Sequence, residues 1–244
     1  MKLSANSLLL IPTYNEVLNI GTLINEIRST FPALQILAID DNSSDGTAET
    51  INQLMFSDDK IELLSRPKKT GLGNAYRAGF AWGLERNFEY FIEMDADHSH
   101  RVIDLEKLLG EADKYDLTIG SRWVKGGQII GWAKHREILS RFGSGYSRIL
   151  LGLKVRDCTS GFRVFSKKAI ESIDFQNIQS NGYGFQVETL YRLHEAGLSV
   201  GEVPITFVER REGVSKMHSG IVFEAIWNVS KFGFFRLLSK FKFK

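Results

Sequence analysis

The sequence predicts an α/β protein built on a mostly parallel, doubly wound sheet, with an amphipathic helical segment at its C-terminal end. Three observations carry that prediction. Short apolar runs alternate with segments of helical periodicity through the first half of the chain, the pattern that sets parallel strands side by side under helices. Polar, acid-rich clusters follow three of those runs, where a doubly wound sheet gathers its ligands. Finally, residues 231–244 carry five basic residues and no acidic one, interleaved with Phe and Leu.

The elements follow in order. Residues 7–11 are a short apolar strand ended by Pro12. Residues 17–29 place Ile20, Leu23, Ile24 and Ile27 on one helical face. Residues 34–39 form a second buried strand. Residues 47–55 form a helix for which Asp45 is the expected N-cap. A third strand spans 60–64, a helix rich in small residues spans 71–86, and a fourth strand spans 90–94. Beyond it, 116–121 reads as a strand ending at Arg122. Residues 125–134 contain glycines and no period, and are expected to form a mobile loop. Helices are expected at 138–151 and 185–194, strands at 160–165 and 200–208, and a charged loop at 209–218. Residues 221–240 form a terminal helix with Val222, Phe223, Ile226, Trp227 and Val229 on its apolar side.

The chain has 244 residues, 43% hydrophobic and 25% charged, enough to bury the core of one large domain. A net charge of +2 gives no global field for nucleic acid. The first half also lacks a basic groove lined with stacking aromatics. The single cysteine, Cys158, allows no intramolecular disulfide and suits a reducing compartment. The first apolar run is too short for a signal peptide, and no stretch of about 18 apolar residues predicts a membrane-spanning helix. The basic, aromatic C-terminal segment suits the interface of an anionic membrane; it suits equally a helix docked on the core.

The chemistry starts at Asp95-Ala96-Asp97, directly after the fourth strand. Strand alternation points both carboxylates to one side. Mg2+ and Mn2+ take carboxylate oxygens and accept phosphate oxygens as further ligands. Alone, the pair reads better as a polar turn with Asp97 capping, because so short a motif recurs by chance. Two further clusters, Pro12-Thr13-Tyr14-Asn15-Glu16 and Asp40-Asp41-Asn42-Ser43-Ser44-Asp45, fall on the same expected rim, and solubility does not explain three. A nucleotide diphosphate suits such a rim. Asp41 and Glu16 would accept from base or ribose donors, Tyr14 or Pro12 would line the base, and Asp95 and Asp97 would hold a metal. Without that metal the carboxylates would repel the diphosphate. Arg122 stands where a strand ends, a common place for function. Arg136 and Ser140, four residues apart, share one helical face and as paired donors suit a phosphate. Glu188 reads at least as well as a buried structural carboxylate. His98 and His100 lack a third zinc ligand, Gly71-Leu72-Gly73 lacks the lysine of a phosphate loop, and Thr159-Ser160-Gly161 is no nucleophile elbow.

These clusters, with Gly120-Ser121-Arg122, Gly131-Trp132, Arg136, Ser140-Arg141, Cys158-Thr159-Ser160-Gly161-Phe162-Arg163, Gly182-Tyr183-Gly184-Phe185-Gln186-Val187-Glu188, Glu202-Val203-Pro204 and Arg210 through Ser215-Lys216, resemble the inverting GT-A glycosyltransferases of family 2. Within that family the second-half series is similar to the dolichol-phosphate and polyprenol-phosphate mannose synthases. The resemblance implies a Rossmann-like GT-A fold over residues 1–217, with 218–244 as a basic amphipathic helical extension that contacts a membrane. It implies transfer of mannose from GDP-mannose to a polyprenyl monophosphate, giving a β-linked lipid-phosphate sugar and GDP. A phosphate acceptor is already anionic and needs little general-base help. It needs cations that bring two anions together.

Carried onto this chain, the resemblance puts Mg2+ or Mn2+ at Asp95 and Asp97. Ser99 stands where the family pattern has a third ligand, for which glutamine is one family choice, so this chain departs from it there. Asp97 and Arg122 are then catalytic, with Arg122 near both phosphates. Arg136, Ser140, Arg210 and Lys216 serve the acceptor phosphate. The protein would sit peripherally on the cytoplasmic face of a membrane, with a small membrane partner subunit as a further candidate. Two other readings stay open: the same fold using UDP-glucose or another nucleotide sugar, and a catalytically silent module that binds nucleotide or lipid phosphate at a membrane.

Overall fold

The structure, a computed structural model, describes residues 5–175, 178, 180, 182–210 and 219–242. Strands β1 (Ser7–Thr13), β2 (Gln35–Asp40), β3 (Ile61–Ser65) and β4 (Tyr90–Glu93) alternate with helices α1 (Val17–Thr30), α2 (Thr47–Met55) and α3 (Leu72–Glu85). Helix α4 (Val102–Glu111) leads to β5 (Leu117–Ser121), β6 (Gln128–Ile130) and α5 (Lys134–Leu151). Then come β7 (Arg163–Ser166), α6 (Lys167–Ser172), α7 (Gly182–Glu195), β8 (Val200–Pro204), β9 (Thr206–Val208) and α8 (Ser219–Lys242).

Among the described residues seven strands form one sheet in the order β3-β2-β1-β4-β7-β5-β8. All pair in parallel except β7, which runs antiparallel between β4 and β5. The carboxyl ends of β1, β2, β4 and β5 therefore meet at one rim, and the residues leading into β7 enter at that same rim. Alternation along β1 sends Leu8 and Leu10 to one face and Leu9 and Ile11 to the other, all at 0% exposure. One face packs against α3 and α7 through Tyr76, Phe80 and Phe185. The other packs against α1 and α4 through Ile20, Leu23, Leu105 and Leu108. Small residues let α3 lie close: a Cβ at Gly83 would come within 2.5 Å of Phe91 and 2.6 Å of Leu8.

The structure departs from the sequence expectations at several places. Residues 125–134 are not a period-free loop: β6 lies within them and pairs in parallel with β9. The single strand expected at 200–208 is two strands in two sheets. Pro204 ends the pairing of β8 with β5 and brings no amide of its own. The buried carboxylate of Asp104 takes the Thr206 amide at the switch, at 3.0 Å. The strand expected from 160 begins at Arg163, because Ser160 turns back to bond Gly120 O. Helix α4 was not expected; it is short and has no side-chain N-cap. The N-cap of α2 is Gly46, at φ 96°, not Asp45. Asp45 instead accepts from Thr47 N and Oγ1 and from Val17 N, tying the starts of α1 and α2 together.

The C-terminal helix α8 is docked on the domain. Val229 is buried, Ser230 bonds Tyr146 of α5 at 2.7 Å, and Asn228 donates to Ser180 at 2.9 Å. Phe232 stacks on Tyr191 of α7. No helix of the described residues is long and apolar enough to cross a membrane.

Candidate active site

At the ends of β1 and β2 the chain builds a polar shelf. Asp40 is spent internally, accepting from Thr13 Oγ1 at 2.8 Å and from Ser43 N and Oγ at 2.9 and 2.6 Å. Asn15 and Asn42 adopt φ of 55° and 61°, a conformation asparagine tolerates better than most side chains. Glu16 starts α1; its carboxylate takes the Asn19 amide and its backbone N–H donates to Thr47. Pro12 and Tyr14 are half-buried beside it. Asp41, nearly buried, pairs with Arg66 at 2.6 Å. Burial raises its pKa, and Arg66 opposes that rise. Lys69 lies 4.0 Å from the Tyr14 ring centroid. Arg66 and Lys69 were not singled out in the sequence. Their signal was the Arg66-Pro67-Lys68-Lys69 run after the third strand.

The acidic pair sits at the end of β4. Asp95 is half-buried, and its amide donates to His100 Nδ1 at 3.3 Å. Asp97 is nearly buried; it accepts the Ser99 amide at 3.1 Å and meets Arg210 at 3.4 Å. Ser99 Oγ is buried and has no protein partner among the described residues. These are hard oxygen donors with one orphaned hydroxyl, which fits Mg2+ or Mn2+. Among the described residues no group of three His, Cys, Asp or Glu could hold a metal. Any cation here would need substrate phosphate or water to complete its shell. His98, at φ 59°, bonds Thr22 of α1, and His100 stacks on Phe162 with centroids 4.8 Å apart. Burial pushes the His100 pKa down to about 4, so the ring is neutral.

Beneath the pair lies a buried polar layer that the sequence reading missed. The register pairs Glu93 of β4 with Arg163 of β7. Arg163 is fully buried and donates to three carbonyls, those of Ser160, Gln186 and Cys158, at 2.8–2.9 Å. Gln186 donates to Glu93 at 2.9 Å. Burial pushes the Glu93 pKa up to about 7, against the Arg163 charge. Glu188 accepts from Ser180 and Arg192, which agrees with its reading as a structural carboxylate.

Arg122 follows β5 and is 4% exposed. Its backbone N, Nε and Nη2 all donate to Asp157 at 2.7–2.9 Å, and Nη2 also donates to Thr159 at 2.9 Å. The rings of Trp123, Trp132 and Phe207 surround the guanidinium at 5.2–5.5 Å. Arg136, at the start of α5, lies over Trp132 at 4.6 Å and pairs with Glu209. Ser140 is half-buried one turn further along α5. Arg210 reaches the acidic pair from the segment after β9, and that strand is stitched to the same loop by Val208 N donating to Ser99 O. Asp157 and Glu209 were not singled out from the sequence, and Thr159 was read only as part of the family series and of a motif that is no nucleophile elbow. Lys216 lies outside the described residues.

The profile of the Glycosyl transferase family 2 matches residues 9–174. The undecaprenyl-phosphate mannosyltransferase of Micrococcus luteus is 44% identical over 226 residues, 93% of this chain and 93% of that protein. The polyprenol monophosphomannose synthase of Mycolicibacterium smegmatis is 42% identical over 229 residues, 93% of this chain and 86% of that protein. Among solved structures, glucosyl-3-phosphoglycerate synthase from Mycobacterium tuberculosis, bound to Mn2+, UDP-glucose and phosphoglyceric acid, superposes with a TM-score of 0.67. It is 17% identical and covers 93% of this chain and 82% of its own. The complex of that enzyme with phosphoglyceric acid gives 0.69, at the same identity and coverage. At that identity the likeness is one of fold.

Proposed function

The chain belongs to glycosyl transferase family 2, and on that premise we propose how its rim carries out mannosyl transfer to a lipid phosphate. It is a polyprenyl-phosphate mannosyltransferase, as its 42–44% identical relatives are. The donor in this reading is GDP-mannose. The single observation that carries the site assignment is the rim itself: an acidic pair after β4 that Arg210 reaches, with Arg122 and Arg136 both set against the Trp132 ring.

Asp41 and Glu16, with Pro12 and Tyr14, take the nucleoside. Asp95 and Asp97, with Ser99, would hold Mg2+ or Mn2+, which would supply charge to offset that of the departing diphosphate. Arg210, which lies 3.4 Å from Asp97, offers its donors to the acceptor phosphate. Arg136 and Ser140 take the acceptor phosphate, joined by Lys216. Arg122 stands between the two phosphates. An acceptor phosphate oxygen attacks the anomeric carbon of mannose as the bond to the diphosphate oxygen breaks. The electron pair leaves with GDP, and the configuration inverts. No base has to remove a proton, because the attacking oxygen is already ionised.

Residues 1–217 form the catalytic GT-A domain in this reading, and 218–244 an extension that meets the membrane peripherally. Ile138, Phe142 and Ile149 are exposed along α5, and Trp227, Phe234 and Leu238 along α8. Arg141, Arg148 and Lys231 lie exposed among them, a composition suited to an anionic interface. The lone buried Cys158 fits the reducing, cytoplasmic side.

The test is transfer from radiolabelled GDP-mannose to a short polyprenyl phosphate with Mg2+ or Mn2+, alongside Asp97→Ala. Metal-dependent labelled lipid, absent in the variant, supports the reading. Product from UDP-glucose alone keeps the mechanism and rejects the donor. No transfer from any donor by folded protein rejects catalysis by this chain without a partner subunit.

A further inference from the structure

We infer that Asp157 is the positioning residue that fixes the Arg122 guanidinium for transfer; the inference rests on the reading of Arg122 as facing both phosphates. Asp157 lies outside the rim clusters and 35 residues beyond Arg122 in the chain. It is 0% exposed. One of its oxygens, Oδ2, accepts from both the backbone N and the Nε of Arg122, at 2.9 and 2.7 Å, while Oδ1 accepts from Nη2 at 2.7 Å. Main chain and side chain of Arg122 are thus held by the same carboxylate. This bidentate geometry fixes the plane of the fork, which a single hydrogen bond does not.

Asp157 is itself held. Glu202 of β8 accepts from the amides of Arg156 and Asp157, at 2.8 and 2.9 Å. The register sets Glu202 beside Ile119 of β5, the strand that leads to Arg122. Sheet, carboxylate and guanidinium therefore form one chain of contacts. Burial alone would raise the pKa of Asp157, but the charge and donors of Arg122 hold it below the usual carboxylate value. The pair is close to neutral as a unit. Arg122 then contributes placed donors more than net positive charge, and attraction of the two anions falls to Arg136, Arg210 and the cation. A residue with this duty tolerates little displacement, because misplacement by about 1 Å can cost about 10²-fold in rate.

The experiment is a double-mutant cycle on the full chain with Asp157→Asn, Arg122→Lys and the pair. kcat and both KM values are read with GDP-mannose and a short polyprenyl phosphate, and folding is followed by thermal melting. Guanidinium 15N NMR follows exchange of the Arg122 Nε proton in the substrate-free protein. We expect Asp157→Asn to lower kcat by about 10²-fold while the nucleotide-sugar KM stays unchanged and the Nε proton loses its protection. The double variant should be no slower than Arg122→Lys alone. Should Asp157→Asn not fold, Glu202→Gln loosens the same support from a half-buried position and should move kcat in the same direction. Full kcat in Asp157→Asn, additive losses in the double variant, or an unprotected Nε proton in the wild type overturns the inference. Absence of turnover in the wild type instead overturns the donor reading, and the NMR result still decides the role of Asp157.

Discussion

Replacing Glu209 by Gln should tighten binding of the acceptor lipid. Glu209 pairs with Arg136, the side chain proposed to receive the acceptor phosphate. Carboxylate and phosphate are therefore expected to compete for that guanidinium. The side chains are 23% and 34% exposed, so the pair is screened by water and is worth about 0.2–1 kcal/mol. Its removal should raise acceptor affinity by about 1.5- to 5-fold. Arg136 keeps its orientation without Glu209, because the guanidinium still lies over Trp132 at 4.6 Å. The Glu209 amide also still bonds Ile130 O, at 2.8 Å, so the segment keeps its place. Calorimetric titration of a short polyprenyl phosphate into wild type and Glu209→Gln, with Mg2+ and GDP present, measures the difference. The gain should vanish in an Arg136→Gln background. Unchanged or weaker binding by Glu209→Gln would show that Glu209 does not compete with the phosphate, or that Arg136 does not receive it.

Three other outcomes are expected. Gly83→Ala forces a methyl onto Phe91 and Leu8 in the core and should destabilise by about 1–3 kcal/mol in chemical denaturation, although alanine is the better helix former; an unchanged midpoint would refute the packing argument. Burial raises the pKa of Asp104, but donors from Arg101, Lys107 and Thr206 outweigh it and leave the value depressed. Its stabilisation is therefore complete above the unfolded pKa of about 3.9 and lost as pH falls through the lower folded value. Asp104→Asn should be less stable than wild type by about 2 kcal/mol at pH 7, with a gap that closes below about pH 4; a gap constant with pH argues against it. Cys158 is 0% exposed, and burial pushes its thiol pKa up to about 12. It should resist a thiol reagent in the native protein and react on unfolding, and fast native labelling contradicts its placement.

Much of this protein was determined by its sequence alone. The alternation of apolar runs and helical periods gave β1 through β4 and their helices, because a buried parallel strand leaves a continuous apolar signature. The acidic clusters could be assigned to one rim for the same reason, since parallel strands end on the same side. Elsewhere the pattern was silent. Residues 200–208 read as one strand; Pro204 is a local stop signal, but nothing local records that Thr206 begins a pairing in another sheet. β6 is three residues long and owes its existence to β9, far away in the chain.

The site divides in the same way. Asp95, Asp97 and Arg122 were found because they follow strands. Their partners depend on contacts that only the tertiary structure decided. Asp157 meets Arg122 across 35 residues, and Glu209 meets Arg136 across 73. Arg163 lies fully buried because β7 runs antiparallel beside β4 and sets it against Glu93. Local periodicity reports which face of an element is buried. It does not report which distant charge waits there, because such pairing is fixed by how the strands are ordered in the sheet.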